Sequence, residues 1–274
     1  MFSEMFRMIT DWARSGPFFT TGSWFHLMWL GFIVIVTLIL CRTFARRHDK
    51  AVDDAVVFFF GAMLLVSEVY KQFFWLIKLE WRYNFGNLPF QFCDVPCWVM
   101  FIAPFFKEGK IKDALYKFLA FYGLLAGTAV MAYPDGCLTT EYITMLVHTM
   151  LWHSSMVIVG IYVIVAKGYG VNFKKELLPG LCVYTFFLSL ALILNETVGR
   201  KVDGYFNLFY ISSRYGSTLP VLSMVYDGTQ PLWRWHLLLV MYVLAFGLGA
   251  SLLFGITKGL RSLGRHGKKA HALK

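Results

Sequence analysis

Seven long apolar runs, each closed off by charges or turn residues, limit what this 274-residue chain can fold into. They cover roughly residues 23–41, 55–77, 88–106, 114–133, 142–166, 177–195 and 232–257. A helix needs about 20 apolar residues to cross a bilayer. Barrel strands would alternate polar and apolar residues, and these runs do not. Composition agrees: 58% of residues are hydrophobic and 15% charged, where ordinary soluble domains carry about 25% charged residues. The expected fold is all-α, a polytopic membrane bundle of about seven transmembrane helices. The expected division is an N-terminal interfacial segment at 1–22, a seven-helix membrane domain at 23–257 and a basic cytoplasmic tail at 258–274.

The net charge of +10 would suggest nucleic acid in a soluble protein. Here the basic residues gather in alternate connections and the tail, which a membrane reading explains, and no nucleic-acid motif is present. Arg42, Arg46, Arg47 and Lys50 follow span 1; Lys107, Lys110, Lys112 and Lys117 follow span 3; Lys167, Lys174 and Lys175 follow span 5. The tail adds Lys258, Arg261, Arg265, Lys268, Lys269 and Lys274. The alternation places the N-terminus outside and the C-terminus in the cytoplasm. Phe2, Met5, Phe6, Ile9 and Trp12 follow helical spacing, as in a short interfacial helix. The sixth connection, 196–231, is long and of mixed polarity, and is expected to be ordered and functional.

Polar groups inside a bilayer need partners or water. They recur at similar depth here: His26 in span 1, Glu68, Lys71 and Gln72 in span 2, and Gln91, Cys93 and Asp94 in span 3. Span 5 adds His148 and His153, span 6 Asn195 and Glu196, and span 7 His236. Nearly all fall in the outer halves, so the simplest arrangement is an outward-facing, partly hydrated cavity. Structural readings compete with it. His26 and His236 read first as interfacial residues. Glu68 and Lys71, at i and i+3, could form a structural ion pair. Cys97 and Cys182 read as apolar fillers, and Pro96 as a bend in span 3. Gly123 with Gly127, and Gly247, Ser251 and Gly255, read as close-packing stripes. Trp75, Trp81, Trp233 and Trp235 read as interface anchors.

The stretch "NLPFQFCDVPCW" concentrates the question, since its Cys93, Asp94 and Cys97 allow packing, metal binding, a disulfide or a nucleophile. The five cysteines are scattered and suggest no disulfide framework. Two thiols without further ligands at finger spacing argue against metal, so neither metal nor cofactor is expected. A nucleophilic thiol needs a base or a positive neighbour. A helix start, a histidine and the carboxylates of Asp94 or Glu68 would supply these. A transport pathway uses the same ingredients.

The segment "LPFQFCD" resembles the Leu-Pro-x-x-x-Cys-Asp signature of the YwaF family of integral membrane proteins, which includes the eukaryotic transmembrane protein 164. "SEVYKQFFWLIKLEW" resembles that family's glutamate-bearing second span and "WHSSMVIVGIYVIV" its histidine-bearing fifth. "GYFNLFYISSRYGSTLP" resembles its Asn-Tyr segment before the last span. Gly204 stands where the Asn-Tyr motif begins, with Asn207 shifted along, and Ser154 stands where the family has glycine after its histidine. The eukaryotic member is described as moving acyl chains from phosphatidylcholine to lyso-ether-phospholipids through a Cys–His pair. Distant relatives, the androgen-induced proteins, hydrolyse fatty-acid esters with a Thr–His pair.

The resemblance implies a lipid acyltransferase or acyl-ester hydrolase with Cys93 as nucleophile and His153 as base. By span depth, Cys93 lies ~8 Å in and His153 ~16 Å in, so His148 is the reserve base. Asp94 and Glu68 would support the histidine. Lys71, Gln91, Asn195, Tyr205, Asn207 and Arg214 would bind substrate. The implied partners are a membrane phospholipid or lysophospholipid and the bilayer itself, with no nucleic acid. The implied location is a bacterial cell membrane or a eukaryotic endomembrane. A transporter or lipid-binding protein using the same cavity is the competing class, and a scaffold whose charges merely pack is the third.

Overall fold

The computed structural model describes residue 4, residues 19–47 and residues 49–272. The expected interfacial helix at Phe2, Met5, Phe6, Ile9 and Trp12 lies outside the described residues. Every regular element among those described is helical. The longer helices are α1 (Trp24–Thr43), α2 (Lys50–Lys78), α3 (Val95–Ile102), α4 (Lys110–Lys117) and α5 (Leu124–Ala132), then α6 (Ile143–Lys167) and α7 (Phe173–Thr197). A single turn, α8 (Leu222–Val225), precedes α9 (Leu232–Ala272).

Local chemistry sets the ends. Asp49 Oδ1 accepts from the Ala51 and Val52 amides at the start of α2, and Asn172 accepts from the Lys175 amide at the start of α7. Gly168 closes α6 in the left-handed conformation, φ 72°. Between α4 and α5 the chain winds as a π-helix over Phe118–Gly123, so these three pieces form one continuous rod.

Five helical segments are long and apolar enough to cross a membrane: Trp24–Arg47, Lys110–Ala132, Ile143–Lys167, Phe173–Thr197 and Leu232–Leu263. These are the helices of a multi-pass membrane protein. The second and third expected spans look different. α2 has 29 residues but carries Asp53 and Asp54 near one end and Glu68 and Lys71 near the other. The third apolar run is helical only over Val95–Phe105. Its helix starts at Val95, not near residue 88. Leu88, held before Pro89, has φ −57° and ψ 127°, the extended conformation a following proline imposes. Pro96 lies in the first turn of α3, where no intrahelical bond is lost. It starts the helix and does not bend it.

α6 is the central helix. It packs against α1, α2 and α5, and 78% of its apolar window is buried against 22% in α1 and α9. Small residues let it approach its neighbours: a Cβ on Gly127 would stand 2.8 Å from the His153 carbonyl oxygen, and one on Gly160 2.7 Å from Leu124 Cβ. Gly61 gives α2 the same closeness to α3, where a Cβ would meet the Phe101 amide nitrogen at 2.4 Å. The stripe on α9 behaves otherwise. Cβ atoms on Gly247 and Gly255 would meet nothing within 4 Å, so it does not serve close helix packing.

At the α6–α7 end, charges tie the bundle together. Asp53 takes Lys167 at 3.0 Å and the Tyr162 hydroxyl at 2.8 Å. Asp54 accepts from Lys112 and Tyr116, and Asp113 from Lys117 and Tyr169.

Candidate functional site

Cys93 sits in the non-helical turn just before α3, with Asp94 at the helix N-cap. The turn is held from three sides. Asp94 Oδ2 accepts from the Gln91 amide at 2.7 Å, and Trp98 Nε1 donates to the Pro89 carbonyl at 2.9 Å. Trp152 of α6 donates its indole N–H to the Cys93 carbonyl at 2.8 Å. The Cys93 thiol lies 3.9 Å from Asp94 Oδ1.

Two residues of α2 and one of α6 complete the cluster. Lys71 Nζ is 2.8 Å from Glu68 Oε2 and 5.9 Å from the Trp152 ring centroid. Glu68 also accepts from Gln72 Nε2 at 2.6 Å, which bonds the Asn87 carbonyl as well. His148 Nδ1 pairs with the Ser67 hydroxyl at 2.7 Å, and its Nε2 lies 3.9 Å from Glu68 Oε2. The His148 ring packs on Trp152, centroids 5.1 Å apart. Outside the spans, Tyr83 donates to Gln72 Oε1 at 3.1 Å. Burial raises its phenol above the ordinary value, so it stays a donor.

The structure thus brings together Cys93, Asp94, Glu68, Lys71 and His148. His153 stands apart: its Nδ1 donates to the Thr149 carbonyl at 2.8 Å, which leaves the lone pair on Nε2. On a helix of 3.6 residues per turn, His148 and Trp152 share a face, while His153 is turned ~100° from Trp152. Neither imidazole has a hydrogen bond to the Cys93 sulfur.

The cluster's side chains are mostly shielded from solvent. Glu68 is 3% exposed, Asp94 6%, His148 8% and His153 6%; Cys93 and Lys71 are half-buried. Other candidates serve the long connection 196–231. The Gln91 side chain donates to the Asn207 carbonyl at 3.0 Å and accepts from the Phe209 amide at 2.7 Å. Asn195 brackets Leu208 through both backbone groups, at 2.9 and 2.8 Å. Asn207 bonds the Tyr205 hydroxyl, the Gly216 carbonyl and the Ser212 amide. These clamps hold Phe209 and Tyr210 at φ 57° and 55°, a conformation uncommon without glycine. Arg214 is exposed and lies over the Tyr215 ring; Tyr205 is exposed beside it.

The lone histidines are structural or peripheral. His26 is buried, accepts from the Gly22 amide and donates to the Met131 carbonyl. His236 is exposed. Trp235, read as a lipid anchor, donates to the Ile211 carbonyl at 2.8 Å and pins the connection. In the sequence, Trp152 and Ser67 carry no signal of their own beyond position, each directly before a candidate site residue. Among the described residues, no group of three His, Cys, Asp or Glu side chains could hold a metal ion.

The family model described as the TMEM164 family matches residues 18–252. No curated protein and no solved structure matches the chain.

Proposed function

We propose that the chain, which belongs to the TMEM164 family, is a membrane-embedded lipid acyltransferase or acyl-ester hydrolase working through Cys93. The Trp152–Cys93 bond carries this reading. It pins the backbone of Cys93, the one half-buried cysteine of the polar cluster, against the histidine-bearing helix.

In the proposed reaction a histidine takes the Cys93 proton. The thiolate attacks an acyl ester, and the glycerol oxygen leaves with that proton. The acyl-thioester then passes its chain to a lysophospholipid or to water, and the sulfur regains a proton. The positive end of α3 favours the thiolate. Lys71 stands close enough to meet a lipid phosphate once released from Glu68.

The resemblance assigns the base to His153, whose free Nε2 is the tautomer a base requires. One observation favours His148: it shares the Trp152 face and is braced by Ser67 and Glu68. In this reading the chain crosses the membrane seven times, with the N-terminus outside and the C-terminus in the cytoplasm. α2 and the segment around α3 supply the two crossings beyond the five long apolar helices.

The test is trapping. Purified protein is incubated with a phospholipid bearing a labelled acyl chain, denatured and treated with neutral hydroxylamine. Hydroxylamine-released label is expected on wild type and not on Cys93→Ala. His153→Gln and His148→Gln separate the two bases: loss of the base slows labelling about 10²–10⁴-fold, and the other change leaves it near wild type. Turnover surviving in Cys93→Ala sinks the mechanism. Label and turnover absent from both proteins would favour a transporter or lipid-binding protein.

A further inference from the structure

A second feature lies away from the Cys93 cluster and does not depend on its chemistry. Between α7 and α9 runs an open groove of about 550 Å³, within the ~300–1,000 Å³ of small-molecule sites. Its walls are apolar, from Leu177, Leu178 and Leu181 on one side to Val243, Leu244 and Leu248 on the other. Lys174 lines its α6–α7 end.

Three irregularities shape it. The π-helix Phe118–Gly123 carries Tyr122 into its wall; such segments are rare and recur at functional sites. Pro179 lies within α7 beside the lining leucines and removes one backbone donor. Gly247 faces it with nothing within 4 Å of its Cβ position. A stripe built for helix contact would have a neighbour there.

The end of the groove is electrostatically uncommitted. Lys174 is exposed and has no hydrogen bond or ion pair among the described residues. The nearest acid in sequence, Glu176, does not neutralise it, because its oxygens accept the Gly170, Val171 and Asn172 amides. Lys175 is its chain neighbour. Lys258 follows Phe254 by one turn of α9, and Phe254 packs on Phe173 at the same end. An apolar slot with an unpaired cation at its water-side end matches a chain with an anionic head.

We propose that this groove binds one acyl chain of an anionic glycerophospholipid from the leaflet on the α6–α7 side, with Lys174 on its phosphate. Native mass spectrometry of the delipidated full-length protein, titrated with dioleoyl phosphatidic acid, tests this. One saturable 1:1 adduct is expected. Lys174→Gln should weaken it about fivefold, the effect of one lysine near an anionic surface. Gly247→Trp should remove it by filling the slot. Because Lys174 is exposed, its variant tests the headgroup contact even where Gly247→Trp fails to fold. Undiminished binding in both variants overturns the site. Oleate binding as tightly as phosphatidic acid, and indifferent to Lys174→Gln, overturns the phosphate assignment. A lipid-free dimer that Gly247→Trp dissociates would show that a second copy covers the groove, and overturns it too.

Discussion

Asn195 makes a pair of hydrogen bonds to Leu208 that would not be out of place in a sheet, yet it closes a loop over a helix end. Leaving a buried backbone group unpaired costs about 1–3 kcal/mol. Asn195→Ala exposes two such groups and is expected to destabilise by about 2–4 kcal/mol, read as a fall in the thermal midpoint in detergent. Glu68 and Lys71 give a different signature, because a buried carboxylate holds a half-buried ammonium. Glu68→Gln takes away the carboxylate in contact with the ammonium and leaves Asp94 as its acidic neighbour, so the loss should fall below the ~3–5 kcal/mol of a fully broken buried pair. The double change Glu68→Gln with Lys71→Met should regain most of that loss. A double-mutant cycle on chemical unfolding measures the coupling; additive losses would mean that the pair contributes nothing. The sequence showed both residues and their spacing. It did not show that His148 of α6 approaches the same carboxylate, or that Tyr83 reaches it only through Gln72, because these come from separate segments.

At the scale of helices, glycine spacing alone was an incomplete guide. The same small-xxx-small pattern packs tightly in one place and faces open space in another. The difference is which helix crosses it. Gly61→Ala pushes a methyl into the α3 backbone, which cannot rotate away. It should destabilise by at least the ~1–3 kcal/mol typical of overpacking. Gly255→Ala meets nothing and should stabilise by up to ~1 kcal/mol through helix propensity. Thermal melts of the two variants are expected to move in opposite directions. The third apolar run makes the same point: hydropathy marked it, but Pro89 and Pro96 confined its helix to the second half.

Across the whole molecule, the two ends are stabilised by different means. One end is closed by the 196–231 connection, held by amide clamps and by Glu196 on Ser213 and Arg200. The other is tied by Asp53, Asp54 and Asp113 to lysines and tyrosines from α4, α6 and the turn after α6. Asp53 is 4% exposed and Lys167 20%, so the pair is shielded from salt. Asp53→Asn should cost about 3–5 kcal/mol and remain costly in high salt. Arg200, 62% exposed against Glu196, should lose no more than ~1 kcal/mol on conversion to Ala. Unfolding at two ionic strengths checks both. An Asp53 effect that vanished in salt would mean that this end is hydrated.

What the sequence determined by itself follows from the bilayer as solvent. Apolar run length marked where the membrane helices lie, because hydropathy depends only on neighbours along the chain; the caps at Asp49, Asn172 and Gly168 that set their ends came from the structure. The sequence also marked Cys93, Asp94, Glu68, Lys71 and His148, since polar groups stand out in apolar runs. Only the tertiary structure decided that these five meet while His153 turns aside. Only it showed that Gln91, Asn195 and Asn207 hold a loop, and that Gly247 lines a groove. The reason is physical: which face of a helix meets which neighbour is set by packing across segments more than a hundred residues apart, as Gln91 and Asn207 are, and a linear pattern carries no record of that distance.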